Sequence, residues 1–450
     1  MLSLTGFLTI GVILALLLTN RVAGVVALAG VPVLAGLIAG FTPSEIGEFV
    51  GGGLEGVAGV ATMFVFAIVY FGVMRDAGLF DPLIRRIMSF AGKAPVTICV
   101  ATTALACAAH LDGAGATTFL ITIPAMLPLF DRLGMSRLVL TTCVGLGAGV
   151  MNLLPWGGPG ARAAATTGEA ANDLWVPLIP AQAVGVVAAL GIAWLLGRRE
   201  QRRLAAIPAP SGDEEGSAFA DADEPVATEP AQGAGAGEDL RRPRLLWFNT
   251  LLTIGVIACL VTGVAPPELL FLVAAVIALV VNYPGLRRQT VRIEAHAKGA
   301  MLMATTLLAA GVLLGILEGS GMIEAMASTA AGLIPEGAAP ALPLIVGVLG
   351  VPLSLLFGPD AFYFGVLPVL NGVAEQFGVA SADIAQAALL GQETVGFPIS
   401  PLTGSFYLLV GLAGVEIGRH IRHLFGWAWL VSLIMLLVAV ATGAVPLWAS

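Results

Sequence analysis

Five ionisable residues sit where an otherwise apolar chain is interrupted by glycine, proline and hydroxyl residues: His110, Asp112, Arg162, Asp360 and Glu393. A charged side chain inside a bilayer is costly, so each needs a partner or a role. Asp112 and Asp360 suit a divalent cation or a proton, with the capping of their own helical turn as the plainer use. Arg162 offers a planar fork to a carboxylate, either on a substrate or on a neighbouring acid such as Glu393. Histidine titrates near neutrality, so His110 is a candidate proton carrier or else a hydrogen-bonded core residue. Glu393 joins His110, Asp112 and Asp360 in the proton-coupling set. Neutral oxygen donors accompany them: Thr117, Thr118, Asn152, Gln392, Ser400 and Thr403. Asn152 with Asp112 and Asp360 forms the candidate metal set. Gly113, Gly115, Pro155, Gly157 and Gly158 open the backbone beside these side chains, freeing amides for anions and carbonyls for cations. Of the two aspartates, Asp112 is expected to matter more, because His110, Thr117 and Thr118 share its turn. Asp360 has a proline and apolar residues around it.

Other chemistries lack their residues. There is no Gly-x-x-x-x-Gly-Lys-Ser/Thr loop for ATP and no His-Glu-x-x-His zinc helix, which leaves an ATP-driven motor and a zinc enzyme of that type without their residues. The four cysteines, Cys99, Cys107, Cys143 and Cys259, lie in apolar runs and read as small core residues.

The elements that must position these residues follow from composition. Of 450 residues, 58% are hydrophobic and 11% charged, with a mean hydropathy of +0.94. A soluble domain carries about 25% charged residues, so a soluble enzyme, a disordered chain and a nucleic-acid binder are excluded. Unbroken apolar runs near the bilayer-crossing length point to an all-α polytopic membrane protein and not to a barrel. Crossings are expected at about 4–19, 22–40, 55–74, 137–155, 174–197, 245–264, 268–283, 297–317, 381–412 and 421–441. Two further apolar stretches, about 96–130 and 341–371, are broken by polar tips, His110–Thr118 and Gly358–Phe362, and are expected to be re-entrant hairpins. The first enters from the cytoplasm and the second from outside.

Ten crossings starting outside put every lysine and arginine but Arg162 on the cytoplasmic side, while acids such as Glu45, Glu48, Glu318 and Glu375 collect on the other. Both termini then face outward. Residues 205–242, rich in Ala, Pro, Gly, Asp and Glu, form a flexible acidic cytoplasmic linker.

The two halves repeat. Leu8-Thr-Ile-Gly-Val-Ile13 recurs as Leu252-Thr-Ile-Gly-Val-Ile257, and Gly72–Gly78 resembles Gly315–Gly321. Pro124 and Gly134 match Pro368 and Gly378, and Pro155 matches Pro398, all in nearly one register. Such a register indicates duplication. Residues 1–204 form the first repeat and 243–450 the second, each with about five transmembrane helices and one hairpin. Five crossings per copy make the repeats inverted, the build of a secondary transporter.

With these motifs in hand, the chain resembles the citrate–metal–proton symporter family of the ion transporter superfamily. The resemblance is carried by Gly78-Leu-Phe-Asp-Pro-Leu83, by His110–Pro128, by Gly149–Pro159 with Arg162, by Asp360-Ala-Phe-Tyr-Phe-Gly-Val-Leu-Pro368, and by Gly391-Gln392 leading to Ser400-Pro401. It implies uptake of citrate complexed with a divalent metal ion in symport with protons. The metal is then cargo, and no resident cofactor is expected. It further implies a scaffold domain that forms a homodimer, a transport domain holding hairpins and broken helices, an elevator mechanism, and a place in the bacterial plasma (inner) membrane. Two other readings use the same residues. One is a sodium/proton antiporter with Asp112 and Asp360 as its ion pair, which leaves Arg162 without a task. The other is a sodium- or proton-coupled carrier of a different organic acid, dicarboxylate or gluconate.

Overall fold

In the computed structural model, residues 2–19, 21–92, 94–206, 240–332 and 339–448 are described, and among them there is no strand. Most of the acidic linker, 207–239, lies outside the described residues. The first half runs α1 (Leu2–Leu18), α2 (Val26–Ile38, opening with a π turn), α3 (Pro43–Asp76), α4 (Asp81–Phe90), α5 (Pro95–Ala109), α6 (Gly115–Arg132), α7 (Arg137–Met151), α8 (Gly158–Thr167) and α9 (Ala171–Ala205, with a 3-10 turn at Val176–Leu178). The second half follows the same order. It runs α10 (Leu246–Thr262), α11 (Pro267–Asn282), α12 (Leu286–Gly319), α13 (Met322–Ala331), α14 (Leu342–Leu353), α15 (Ala361–Val366 as a π turn, then Leu367–Gln376), α16 (Ser381–Leu389), α17 (Gly404–Ala413) and α18 (Ile417–Ala441). Glycines that match between the halves do the same work. Gly78 and Gly321 follow α3 and α12 at φ +85° and +73°, and Gly134 and Gly378 follow α6 and α15 at +64° and +75°. Only glycine takes that left-handed conformation without strain.

Among the described residues, six segments are long and apolar enough to cross a membrane: Pro43–Asp76, Pro95–Asp112, Ala171–Ala205, Pro243–Thr262, Leu286–Gly319 and Ile417–Ala441. With the shorter apolar helices α1, α2, α7, α11, α14 and α17 they make a multi-pass membrane protein. Two expectations change. The crossing expected at 137–155 ends as a helix at Met151 and is completed by α8, so 137–167 is one broken helix, like α16 with α17. The linker is also shorter than expected, because its last residues are bound. The Arg242 amide donates to Ala77 O at 2.9 Å, and Tyr283 donates to Leu240 O at 2.8 Å.

The helices α3 and α12 have 34 residues each, about 51 Å at 1.5 Å per residue. That exceeds the roughly 30 Å of hydrocarbon. Thr42 starts α3 with a capping box: its amide donates to Glu45 Oε2 at 2.7 Å, and its hydroxyl accepts from the Glu45 amide. The two long helices cross at glycine. A Cβ on Gly53 would lie 2.0 Å from Gly311 O, and one on Gly315 would lie 2.2 Å from Phe49 O. Small residues let the backbones meet where side chains would hold them apart. On the other side of the molecule α5, α7 and α9 pack together, as do α14, α16 and α18. The arms α5 and α14 have 15 and 12 residues, about 22 and 18 Å; with its 3-10 turn the first reaches Asp112, and each runs into a polar tip.

Candidate functional site

The tip between α5 and α6 is a 3-10 turn, His110–Asp112, closed by Gly113 at φ +73°. A side chain at Gly113 would meet Trp156 O at 2.9 Å, so the tip rests on the break after α7. Asp112 has both carboxylate oxygens engaged. Oδ1 accepts from the Ala114 amide at 2.9 Å, and Oδ2 from Arg75 Nη1 at 3.0 Å. Arg75 also donates to Thr117 at 3.0 Å. His110 is fully buried and turns away from Asp112. Its Nδ1 is 2.8 Å from Thr118 Oγ1, and its Nε2 is 3.2 Å from Asn152 Oδ1. Its ring stacks on Phe397.

The break between α7 and α8 is built from Asn152 to Gly157. Gly157 cannot carry a side chain, since a Cβ there would lie 2.6 Å from Asn152 O. Gly160 is nearly as tight, 3.3 Å from the carbonyls of Leu154 and Pro155. Asn152 bridges the two halves, its Nδ2 donating to Glu393 O at 2.7 Å. Arg162, on the first turns of α8, folds back along the helix, with Nη1 donating to Gly158 O at 3.0 Å. Its Nε reaches across to Asp360 Oδ1 at 2.7 Å. The pair is largely buried, the side chains being 11% and 26% exposed.

Asp360 opens the π turn of α15 at the second tip and lines a cavity of about 150 Å³ with Leu17, Val22, Gly24 and Leu402. The last break holds Gln392, Glu393, Ser400 and Thr403. Gln392 ties the break to the second tip: Ser354 Oγ donates to its Oε1 at 3.1 Å, and its Nε2 donates to Phe357 O at 3.2 Å. Glu393 is the one described non-glycine residue with positive φ, +54°, a strained conformation for a residue with a side chain. Its carboxylate is buried; Oε2 accepts from the Thr403 hydroxyl, and the buried Ser400 hydroxyl lies beside it.

The four interruptions therefore meet. Tip one touches both breaks, through Gly113 on Trp156 and Gly115 on Phe397, and tip two touches both through Asp360–Arg162 and Ser354–Gln392. The proposed metal set does not converge. Asp112 is held by Arg75, Asp360 by Arg162, and Asn152 by His110 and Glu393 O. Among the described residues no group of three His, Cys, Asp or Glu could hold a metal ion. Arg75, counted with the cationic rim, instead reaches the first tip. The signal for it was its place in Gly72–Gly78, one of the repeated landmarks. Ser354 and Tyr363, which donates to Gln392 O at 2.9 Å, carried no signal in the sequence.

The comparisons with known proteins bear on this arrangement. Residues 7–391 match the family model described as Citrate transporter. The chain belongs to the citrate transporter family. Two relatives from Bacillus subtilis (strain 168) match over their whole length. One is named "Citrate transporter" (41% identical over 99% of this chain), the other "Mg(2+)/citrate complex secondary transporter" (39%, also over 99%). These relatives are transporters and not enzymes. Among solved structures, the YdaH transporter of Alcanivorax borkumensis is similar in fold, with a TM-score of 0.55 at 15% identity. The match covers 90% of this chain and 89% of that one. The family match runs through both tips and the first break and stops at Gly391, one residue before Gln392.

Proposed function

We propose that this chain is a secondary transporter that imports citrate complexed with a divalent metal ion, in symport with protons, across a bacterial plasma membrane. The observation that carries the reading is the Arg162–Asp360 pair, at the place where both tips and both breaks meet. Free citrate offers only anionic groups and a free metal only positive charge, so either alone would leave one half of the pair buried and unpaired, at a cost of about 3–5 kcal/mol. The metal–citrate complex offers both. A carboxylate takes the fork of Arg162 and the metal takes Asp360, with Thr403, Ser400 and the opened backbone as further oxygen donors. Glu393, buried with hydroxyl groups beside it and no ion pair to a described residue, is the side chain suited to the coupled proton.

The rest of the reading agrees with the fold. The nine helices of each half are taken as inverted repeats, the hairpins as re-entrant, and the linker with its arginine-rich neighbours as cytoplasmic. The crossing pair α3 and α12 belongs to a scaffold that dimerises, and α5 to α9 with α14 to α18 form a transport domain that moves against it. Purified protein in proteoliposomes tests the function. Labelled citrate should enter when Mg²⁺, Ca²⁺ or a heavier divalent ion is present with an inward proton gradient, and it should stop entering when either is removed. Uptake that continues at full rate with a chelator in excess would reject the complex as substrate.

A further inference from the structure

A further cavity lies outside the site just described. It holds about 320 Å³ and separates α3 and α12 from α8 and α15. Its walls include Gly53, Thr166, Glu318, Asn371 and Glu375, and no lysine, arginine or histidine lines it. Neither glutamate forms an ion pair with a described residue. Asn371 is 5% exposed, yet both its Oδ1 and its Nδ2 lack a partner. A buried amide with all its hydrogen bonds unmade costs about 1–3 kcal/mol per group, unless something in the cavity supplies them.

The cavity is connected to the central site. Thr166 on its wall is one turn of α8 beyond Arg162, and its hydroxyl donates to Tyr363 O at 2.9 Å. Tyr363 in turn donates to Gln392 O. The walls include the N-terminal half of α3 and the last two turns of α12. Along α3 that is the end opposite Arg75, and along α12 the end opposite Arg287 and Arg288.

We propose that this cavity is a second binding site, which holds a hydrated divalent cation between Glu318, Glu375 and Asn371 before it reaches the central pair. The proposal deepens the metal–citrate reading and rests on it for the fate of the cation. The chemistry is that of hard oxygen donors. Two carboxylates balance the charge of a divalent ion, and the Asn371 oxygen accepts from its coordinated water. A six-coordinate hydrated cation needs about 180 Å³ at roughly 30 Å³ per water, which the cavity accommodates. A cleft lined by one sign of charge concentrates the opposite ion at its mouth. The cation held there gives an arriving citrate a metal to chelate, in a cavity whose Thr166 wall lies one helical turn from Arg162.

The test uses Mn²⁺ as the probe, read by electron paramagnetic resonance on the full chain in detergent, with no citrate present. Wild-type protein should bind one Mn²⁺ per chain at this site. Glu318→Gln and Glu375→Gln, on different helices, should each weaken binding about tenfold, the worth of one charge-assisted contact. Asn371→Asp keeps the shape, adds a carboxylate and should tighten it. Asp360→Asn, at the central site, should leave Mn²⁺ affinity within about twofold. In proteoliposomes, Glu318→Gln should raise the apparent constant for metal–citrate without changing the maximal rate. No Mn²⁺ binding by wild type, affinity unchanged in both glutamine variants, no tightening in Asn371→Asp, or loss in Asp360→Asn each overturns the proposal. A failure of metal–citrate transport itself would leave the Mn²⁺ measurement standing, so the two readings fail separately.

Discussion

Replacing Arg162 by lysine keeps its charge and deletes its geometry. In the ligand-free protein the guanidinium serves two acceptors at once, Asp360 Oδ1 from Nε at 2.7 Å and Gly158 O from Nη1 at 3.0 Å. Its Nη2 makes no hydrogen bond to a described residue, so the Nε–Nη2 edge is ready for a carboxylate once Asp360 lets go. An ammonium cannot reproduce a fork aimed in two directions. A hydrogen bond to a charged group is worth about 1.5–3 kcal/mol, so Arg162→Lys should raise the apparent metal–citrate constant about 10- to 100-fold. With side chains only 11% and 26% exposed, water replaces little of what is lost. Asp360→Asn acts on the other half of the pair. It weakens metal–citrate by removing the metal's ligand, but it also removes the acid that repels free citrate. The ratio of metal–citrate to free-citrate affinity should therefore fall further in Asp360→Asn than in Arg162→Lys. Titration calorimetry with citrate plus Mg²⁺, and with citrate plus chelator, measures both constants for each variant. Wild-type constants in both variants, or an undiminished preference for the complex in Asp360→Asn, would refute the exchange of partners argued here.

Two further outcomes are expected. Asp112→Asn keeps an oxygen for the Ala114 amide but releases Arg75, so thermal unfolding of the detergent-solubilised protein should shift down, while citrate uptake falls less than in Asp360→Asn. Uptake abolished in Asp112→Asn with unfolding unchanged would return Asp112 to the substrate site. Gly53→Ala sets a methyl 2.0 Å from Gly311 O, a backbone atom that cannot rotate away. Overpacking of a core costs about 1–3 kcal/mol, so the yield of monodisperse protein should drop sharply, and a normal yield would show that α3 and α12 separate easily.

Much of this was legible in the chain, for reasons that differ by residue. The tips and breaks declared themselves because glycine, proline and hydroxyl residues are conspicuous in an apolar background, and because each landmark occurred twice. Arg162 was expected to meet a carboxylate, on a substrate or on an acid such as Glu393, and which acid lies beside it was not legible: in the ligand-free protein it is Asp360. Pairing across 198 residues depends on how α8 meets the second tip, and no periodicity encodes that. His110 and Asp112 misled in the opposite way. Two residues apart on a tight turn, they project to different neighbours, His110 to Asn152 and Asp112 to Arg75. Arg75 was hidden because a cation at the end of a long apolar helix has the same appearance whether it faces solvent or folds inward.

The hydrogen-bond inventory separates the side chains that hold the site from those that wait to bind. Asp112 has a donor on each oxygen, so a ligand there must displace a partner and gains little. His110 is satisfied in either protonation state. Asn152 Nδ2 donates to Glu393 O, which leaves Oδ1 facing Nε2 and requires that nitrogen to carry the hydrogen. The other nitrogen either accepts from Thr118, or donates to it while the Thr118 hydroxyl donates to Ala114 O at 2.9 Å. A proton taken up there changes a hydrogen bond's direction and moves no atom far, which makes His110 a poor trigger. Glu393 differs on each count. Its backbone is strained at φ +54°, its carboxylate is buried with only the hydroxyls of Thr403 and Ser400 beside it and no ion pair to a described residue, and its carbonyl is the acceptor through which Asn152 joins the two halves. A buried acid without a cationic partner is costly to keep unless it has a task, and this one is tied to both halves of the chain. The charged groups with unused valence are thus Arg162, Asp360 and Glu393. In the proposed function these are the groups for a carboxylate, a metal and a proton respectively, while the better-satisfied His110, Asp112 and Arg75 keep the first tip in place around them.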